Sequence, residues 1–255
     1  MHNQISILLS KEMTEGFRTH RFLIWTIICG FFGILSPLSA YYMSDILALI
    51  GSTQSVQLTI TAPTYRDAVD QYVKNFTQLG SILVIFLAMG SVAGEKVDGL
   101  LQLLVVRPIP CRSILCSKIL AMVFTVCSGL GVAVILSSLY AWYLFPGFPV
   151  IPFVKSNLLL MLYLVVITVM TISVSAMVEK PVVAGLCSMG LWLLFSMSGS
   201  LGGFGEYSFT RLGSEMIRLT QGFSISLKPI VSSLVILIGG SGGALISLNR
   251  WEPSQ

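Results

Sequence analysis

Six long apolar runs without a charged residue in their interiors dominate this sequence. They lie at residues 22–43, 76–94, 119–145, 158–178, 182–201 and 229–248. A helix that crosses a bilayer needs about 20 apolar residues, because each residue advances about 1.5 Å through a hydrocarbon core about 30 Å thick. We therefore predict an all-α integral membrane protein with six transmembrane helices, formed by residues 1–255 as a single transmembrane domain.

The composition supports this prediction and excludes other classes. Only 10% of the 255 residues are charged and 55% are hydrophobic, whereas a soluble domain carries about 25% charged residues. So few charges cannot cover a soluble enzyme or a nucleic-acid-binding domain, despite the net charge of +4. Three of the five cysteines lie in apolar runs and no CxxC occurs. We expect reduced cysteines, no metal site and no nucleic-acid partner.

The basic residues predict the orientation of the chain. With both termini on one side, nine of the fifteen lysines and arginines lie on that side, three of them in the segment before the first span. Positive charge marks the cytoplasmic side, so we predict cytoplasmic termini. Residues 18–40 also resemble a cleavable signal peptide, but the apolar run continues past Ala40, which favours a retained span.

The segment before the first span predicts a helix at the membrane surface. Ile5, Leu9, Met13 and Phe17 recur every four residues, while polar residues such as Arg18 fall on the other faces. One apolar stripe on a polar cylinder suits the headgroup boundary, where residues 1–21 would contact membrane lipid. The alternative is a continuation of the first span.

A second amphipathic segment lies between the second and third runs. Glu95, Asp98, Gly99 and Gln102 are spaced to share one helical face, the other positions are mainly Leu and Val, and Pro108 ends the pattern. Such a helix suits a membrane surface or a groove of a partner protein. An ordinary interfacial loop helix fits the pattern equally well.

This segment resembles the signature of ABC-2 type exporter permeases. The family pattern is a Glu, a Gly with a Leu-rich run, Arg-Pro, and a Lys ten residues after the proline, which here are Glu95, Gly99, Leu101, Leu103, Leu104, Arg107, Pro108 and Lys118. The approach from Pro63-Thr64 to Met89-Gly90 and the N-terminal Lys11-Glu12 are also similar. Leu100 and Cys111 depart from the pattern, where the family usually has Thr and Arg.

The resemblance implies a partner-driven exporter. Such permeases pair with a second permease, a homodimer or a paralogue, and dock two copies of an ABC ATPase subunit that holds ATP and Mg. A cytoplasmic coupling helix between spans 2 and 3 would contact the ATPase through Glu95, Asp98, Gly99, Gln102, Leu103, Arg107 and Pro108. A connecting helix beside it would include Ile5, Leu9, Met13, Phe17 and Arg18. The location implied is the prokaryotic cell (inner) membrane.

Missing motifs narrow the function further. No Gly-x-x-x-x-Gly-Lys-Ser/Thr phosphate loop occurs, so we expect ATP hydrolysis on a separate chain and no cofactor on this one. Both histidines precede the first span and no acidic pair lies within a span, so we predict no catalytic residue. Charge-free spans also disfavour an ion-coupled carrier. The alternative is a non-transporting membrane scaffold that binds partners through the same surface helices.

Glycine spacing in the apolar runs predicts points of close helix packing. Three pairs have the GxxxG spacing that lets two helix backbones approach, namely Gly90 with Gly94, Gly199 with Gly203, and Gly239 with Gly243.

Overall fold

The computed structural model describes residues 2–54, 63–100, 110–199 and 205–250. Within these ranges the regular structure is helical, with one π-helical turn at Phe76–Gly80 and one 3₁₀ turn at Phe209–Arg211. The α-helices are α1 His2–Arg18, α2 Arg21–Gln54, α3 Tyr65–Asn75, α4 Ser81–Ala88, α5 Ala93–Val97, α6 Cys111–Leu144, α7 Val150–Met177, α8 Pro181–Ser198, α9 Leu212–Thr220 and α10 Lys228–Arg250.

Six stretches of the described chain are long and apolar enough to cross a membrane. They are Arg21–Met43, Tyr65–Val97, Cys111–Leu144, Val150–Met177, Pro181–Ser198 and Lys228–Asn249. The prediction of an all-helical protein with six such spans is confirmed. Several helices extend beyond the apolar runs, because polar residues continue a helix until a turn or proline ends it. For example, α6 begins at Cys111 directly after Pro110, eight residues before its apolar run.

The bundle is built around α7, which packs against α4, α6, α8, α9 and α10. Its buried face carries Phe153 and Tyr163 into the main apolar core, which also includes Tyr72 and Phe76 from the second span. The hydroxyl of Tyr163 donates to the carbonyl of Thr77 over 3.1 Å. This bond satisfies a backbone oxygen within the π-helical turn, where the regular α-helical pattern is interrupted.

The helices α2 and α6 pack closely on each other. A Cβ added to Gly33 would lie 2.8 Å from the carbonyl oxygen of Ala133, and one added to Gly129 would lie 2.3 Å from Nε1 of Trp25. That indole nitrogen donates to the carbonyl of Val126 over 3.1 Å. Only glycine fits at these two positions, so they fix how closely α2 and α6 pack.

These close contacts lie away from most of the predicted glycine pairs. A Cβ added to Gly90, Gly94 or Gly239 would meet no atom of another part of the described chain within 4 Å, whereas one added to Gly243 would lie 3.1 Å from Met177 and one added to Gly199 would lie 2.9 Å from the Thr210 hydroxyl. Gly203 lies outside the described residues. Among the described glycines, GxxxG spacing thus identified close packing at Gly199 and Gly243 but not at the other three, because spacing alone does not show which helix face meets a neighbour.

Candidate functional site

Four charged side chains meet where α1, α5 and α6 come together. Lys11 Nζ lies 2.8 Å from Oε1 of Glu95, and Lys118 Nζ lies 2.9 Å from the same oxygen. Glu12 Oε1 accepts from Lys118 over 3.1 Å and lies 3.4 Å from Lys11 Nζ. We call Lys11, Glu12, Glu95 and Lys118 the ion-pair cluster. The cluster is neutral because it contains two positive and two negative side chains. Each lysine contacts both carboxylates, and these contacts join three helices.

Apolar packing places these charges. Leu8, one turn before Lys11 and Glu12, is buried among Ile114 and Leu115 at the start of α6. This contact turns the Leu8–Glu12 face of α1 toward the bundle. Lys118 follows about one turn later on α6 and is 2% exposed, while the Glu95 side chain is 7% exposed. Charged groups this buried are rare unless they are paired.

The backbone around Glu95 is held by the end of α7. The Ser175 hydroxyl donates to the carbonyl of Met89 over 2.7 Å and accepts from the backbone N–H groups of Val92 and Ala93 over 3.2 and 2.9 Å. Ser175 thus satisfies backbone groups at the turn that leads into α5, since a buried backbone group without a partner is costly. It sets where α5, and therefore Glu95, lies.

Lys96 makes a second connection to the same end of α7. Its Nζ donates to the carbonyls of Ala176 and Val178 over 2.6 and 3.2 Å. The last carbonyls of a helix lack partners within the helix, and a lysine there is favourable. The Ser247 hydroxyl of α10 also donates to the Ala176 carbonyl, over 3.0 Å. The segment that begins at α5 is thus connected to four helices, α1, α6, α7 and α10, directly or through one shared carbonyl.

The charge balance of the site explains why lysines occupy it. Carboxylate oxygens of Glu12, Glu15 and Glu95 lie within 4.8 Å of one another, so without nearby positive charge they would repel. Burial lowers the pKa of Lys11, but its hydrogen bond to Glu95 and the carboxylates of Glu12 and Glu15 outweigh this and raise the pKa above its ordinary value. Lys11 is therefore charged at neutral pH, and its charge offsets part of the repulsion among these carboxylates.

One oxygen of the cluster has no hydrogen bond to the described part of the chain. Oε2 of Glu95 is buried without a hydrogen-bond partner among the described residues. Glu95 lines a polar cavity of about 100 Å³ together with Glu15, Arg21 and Asp98. A polar cavity of this size is suited to water. Among the described residues, Glu95 is thus held through one oxygen only, and its other oxygen is left to bind a water molecule.

The structure corrects the predicted arrangement of the coupling residues. Glu95 is buried and Asp98 is exposed, and α5 ends at Val97. Gly99 has a φ of 70°, which favours glycine, and so breaks the helix. The predicted single helical face through Glu95, Asp98 and Gly99 is therefore wrong. The other four predicted residues, Gln102, Leu103, Arg107 and Pro108, lie outside the described residues.

The apolar face predicted for the connecting helix is not the face of α1 that packs into the bundle. Residues Leu9 and Met13 line an open apolar groove with Leu120 and Phe124 of α6. Phe17 is exposed and stacks on Phe22, with ring centroids 4.6 Å apart. Ile5 is half-buried and Arg18 exposed. The face that meets the bundle carries Leu8 and Glu12 instead, because the paired charges there can be buried together.

Sequence reasoning missed three contributions to this site. Lys96 and Ser175 were not singled out, and the side-chain partners of Glu95 were not predicted. The available signal was that a chain with so few charges places Glu95 and Lys118 at the ends of apolar runs, and Lys11 and Glu12 in the segment before the first run, all on one side in the predicted topology. Charges in such positions are either solvated or paired, and the pairing became visible only in three dimensions.

Comparison with known proteins gives this fold a family. The chain matches the family described as ABC-2 family transporter protein over residues 6–216, a range that includes the whole cluster. It is also 29% identical over 199 residues to the uncharacterized transmembrane protein YxlG of Bacillus subtilis (strain 168), covering 76% of each chain. The family match covers most of the chain, and the protein therefore belongs to the ABC-2 transporter family.

Proposed function

We propose that this chain is the permease subunit of an ATP-binding cassette exporter and is driven by a separate ATPase subunit. Membership of the ABC-2 transporter family supports the permease role. The proposal adds that two permeases, identical or paralogous, pair to form the substrate path across the prokaryotic cell membrane. Each would dock one ATPase copy, which binds ATP and Mg. Outward transport rests on the resemblance of residues 95–118 to exporter permeases.

The observation that carries this proposal is that both lysines of the cluster share one oxygen of Glu95. Glu95 is the first residue of the segment 95–108 that we propose contacts the ATPase. Force applied to that segment would reach α1 through Lys11 and α6 through Lys118, since both lysines bond Glu95 directly. A buried, charged contact of this kind has few alternative geometries, so it moves as a unit or breaks. This suits a connection between an ATPase and the membrane helices.

The same geometry supports the proposed orientation. The cluster and the amino-terminal helix lie at one end of the bundle, and nine of the fifteen basic residues lie at that end by the predicted topology. An ATPase that uses cellular ATP must dock in the cytoplasm, so both termini would face the cytoplasm. The polar segments at the other end of the bundle, including α9, would face outward.

Coupling between the two subunits is the direct test. We would reconstitute the permease with its co-purified ATPase in nanodiscs and compare ATP hydrolysis with and without the permease. Glu95→Gln keeps the size of the side chain but removes the charge that Lys11 and Lys118 share. We expect permease-dependent stimulation to fall about fivefold or more, the lower end of ordinary coupling between sites. Complex formation should persist.

Glu206→Gln is the matched control, because Glu206 is an exposed carboxylate outside the cluster. It should leave stimulation unchanged. If Glu95→Gln also couples normally, the transmission role is wrong. If no ATPase co-purifies in mild detergent and none responds to the permease, the exporter proposal fails and the scaffold alternative is favoured.

A further inference from the structure

A wedge-shaped slot separates α2 from α4 at the end of the bundle that carries α1. The second span packs closely on α2 along α3, whereas α4 makes little direct contact with α2. The space between them measures about 200 Å³ and is lined by Ile24 and Ile28 of α2 and by Leu83 and Leu87 of α4. The two helices thus diverge toward this membrane surface and leave an apolar gap between them.

Arg21 stands at the mouth of this slot. It is the first residue of α2 and lines the slot one turn before Ile24. Its guanidinium forms no ion pair within 4.0 Å with any residue whose side chain the structure describes. Glu12 and Glu95 are paired with Lys11 and Lys118, while Glu15 and Asp98 line the adjoining polar cavity together with Arg21. The first N–H groups of a long helix add further positive potential. Arg21 is therefore available to bind an anion at the apolar side of its position, where the slot lining carries no carboxylate.

We propose that the slot binds one anionic phospholipid from the leaflet on the side of α1, with its phosphate on Arg21 and an acyl chain between α2 and α4. Arginine matches phosphate geometry with two parallel hydrogen bonds. From Arg21 to Ile28 the slot runs about 10 Å along the helix, which accommodates the first part of an acyl chain. Ile24 and Phe86 beside it are 50% and 56% exposed, so the slot opens toward lipid.

The size of the slot argues against a protein occupant. A helix with its side chains is about 10–12 Å across and does not enter a gap of about 200 Å³. A flexible chain does, and the surrounding bilayer supplies such chains at high concentration. The apolar gap matches the acyl chain of a phospholipid, and the arginine at the membrane-surface end of the gap matches its phosphate.

Native mass spectrometry of the full-length protein from mild detergent tests this assignment. The probes are phosphatidylglycerol and, for comparison, phosphatidylcholine, added at equal concentration. We expect the wild-type protein to retain one phosphatidylglycerol in preference to phosphatidylcholine. Arg21→Gln should weaken retention about tenfold, the effect of losing one charge-assisted pair. Leu83→Phe fills the slot with Arg21 intact and should also reduce retention.

Arg112→Gln is the matched control, since Arg112 is an exposed arginine near the same end of the bundle that does not line the slot. It should retain lipid as the wild-type protein does. Equal loss in Arg21→Gln and Arg112→Gln would show general charge attraction and overturn the site. Retention unchanged by Leu83→Phe would place the acyl chain elsewhere and overturn it too. Displacement by millimolar inorganic phosphate alone would show a free-anion site instead.

Discussion

Two regions of this protein use ion pairs in opposite ways. The ion-pair cluster joins α1, α5 and α6 with side chains that are mostly buried, and Glu95 and Lys118 are each less than 10% exposed. Outside the cluster, Glu206 pairs with Lys228 at the start of α10, and both side chains are about half exposed. Lys228 also lies 5.2 Å from the ring centroid of Tyr207. The ion-pair cluster is packed between helices, whereas the Glu206–Lys228 pair lies on the surface.

The difference shows how burial decides what an ion pair does. An exposed pair is screened by water and salt and loses side-chain entropy when it forms, so it contributes little. A buried pair contributes little net free energy against an apolar alternative, but removing one partner is strongly destabilising because an uncompensated charge remains. The cluster therefore fixes the relative positions of three helices, whereas the Glu206–Lys228 pair fixes little.

The largest expected effect comes from breaking the cluster. Lys118→Met removes the ammonium group that lies between Glu12 and Glu95 and leaves the buried Glu95 carboxylate with Lys11 as its remaining cluster partner. We expect the free energy of unfolding to fall by about 3–5 kcal/mol. Reversible unfolding in a mixed detergent series, or the shift of the melting temperature, measures the loss.

Two comparisons sharpen this result. Lys228→Met, the same substitution in the exposed pair, should leave the melting temperature within experimental error. The double variant Lys118→Met with Glu95→Gln should recover part of the loss, since Lys11 and Glu12 then balance each other and the cluster carries no excess negative charge. Equal losses for the two lysine variants would contradict the distinction between the regions.

The sequence predicted the spans well and the cluster only in outline. Spans are encoded locally, because about 20 successive apolar residues are enough to cross a bilayer. The cluster joins Lys11 and Glu95, which are 84 positions apart in the sequence, and no local pattern encodes that pairing. The resemblance to exporter permeases pointed to Glu95 and Lys118 individually, without indicating that they touch.

The prediction at Gly99 failed for a different reason. Helical periodicity treated Glu95 through Gln102 as one continuous helix, and the spacing did place polar residues on one face. A glycine within such a pattern is compatible with a helix but also with a left-handed turn, which it adopts here. Deciding between the two required the position of α7, whose Ser175 and terminal carbonyls hold the start of α5.

A moderate effect is expected at this turn, next to the buried region. Gly99→Ala places a side chain at a φ of 70°, which costs about 1–2 kcal/mol for a residue other than glycine. We expect a correspondingly lower free energy of unfolding, with the cluster intact. Gly131→Ala is the control, since a Cβ there meets nothing within 4 Å in the middle of α6 and alanine favours a helix. A larger loss in Gly131→Ala would contradict the assigned turn.

The smallest effect is expected at the exposed pair, and its pH dependence has a defined sign. The hydrogen bond from Lys228 lowers the pKa of Glu206 below its ordinary value. The pair therefore stabilises the protein fully above the ordinary pKa of about 4.3. This contribution is lost as the pH falls through the lowered pKa. Wild-type and Glu206→Gln proteins should therefore differ slightly in melting temperature at pH 7, and this difference should decrease as the pH falls through the lowered pKa of Glu206. Because both side chains are solvated, 0.5 M salt should also remove most of the difference at pH 7. A difference that does not decrease in acid or in high salt would mean that Glu206 is held as the buried cluster is, and the contrast between the two regions would no longer stand.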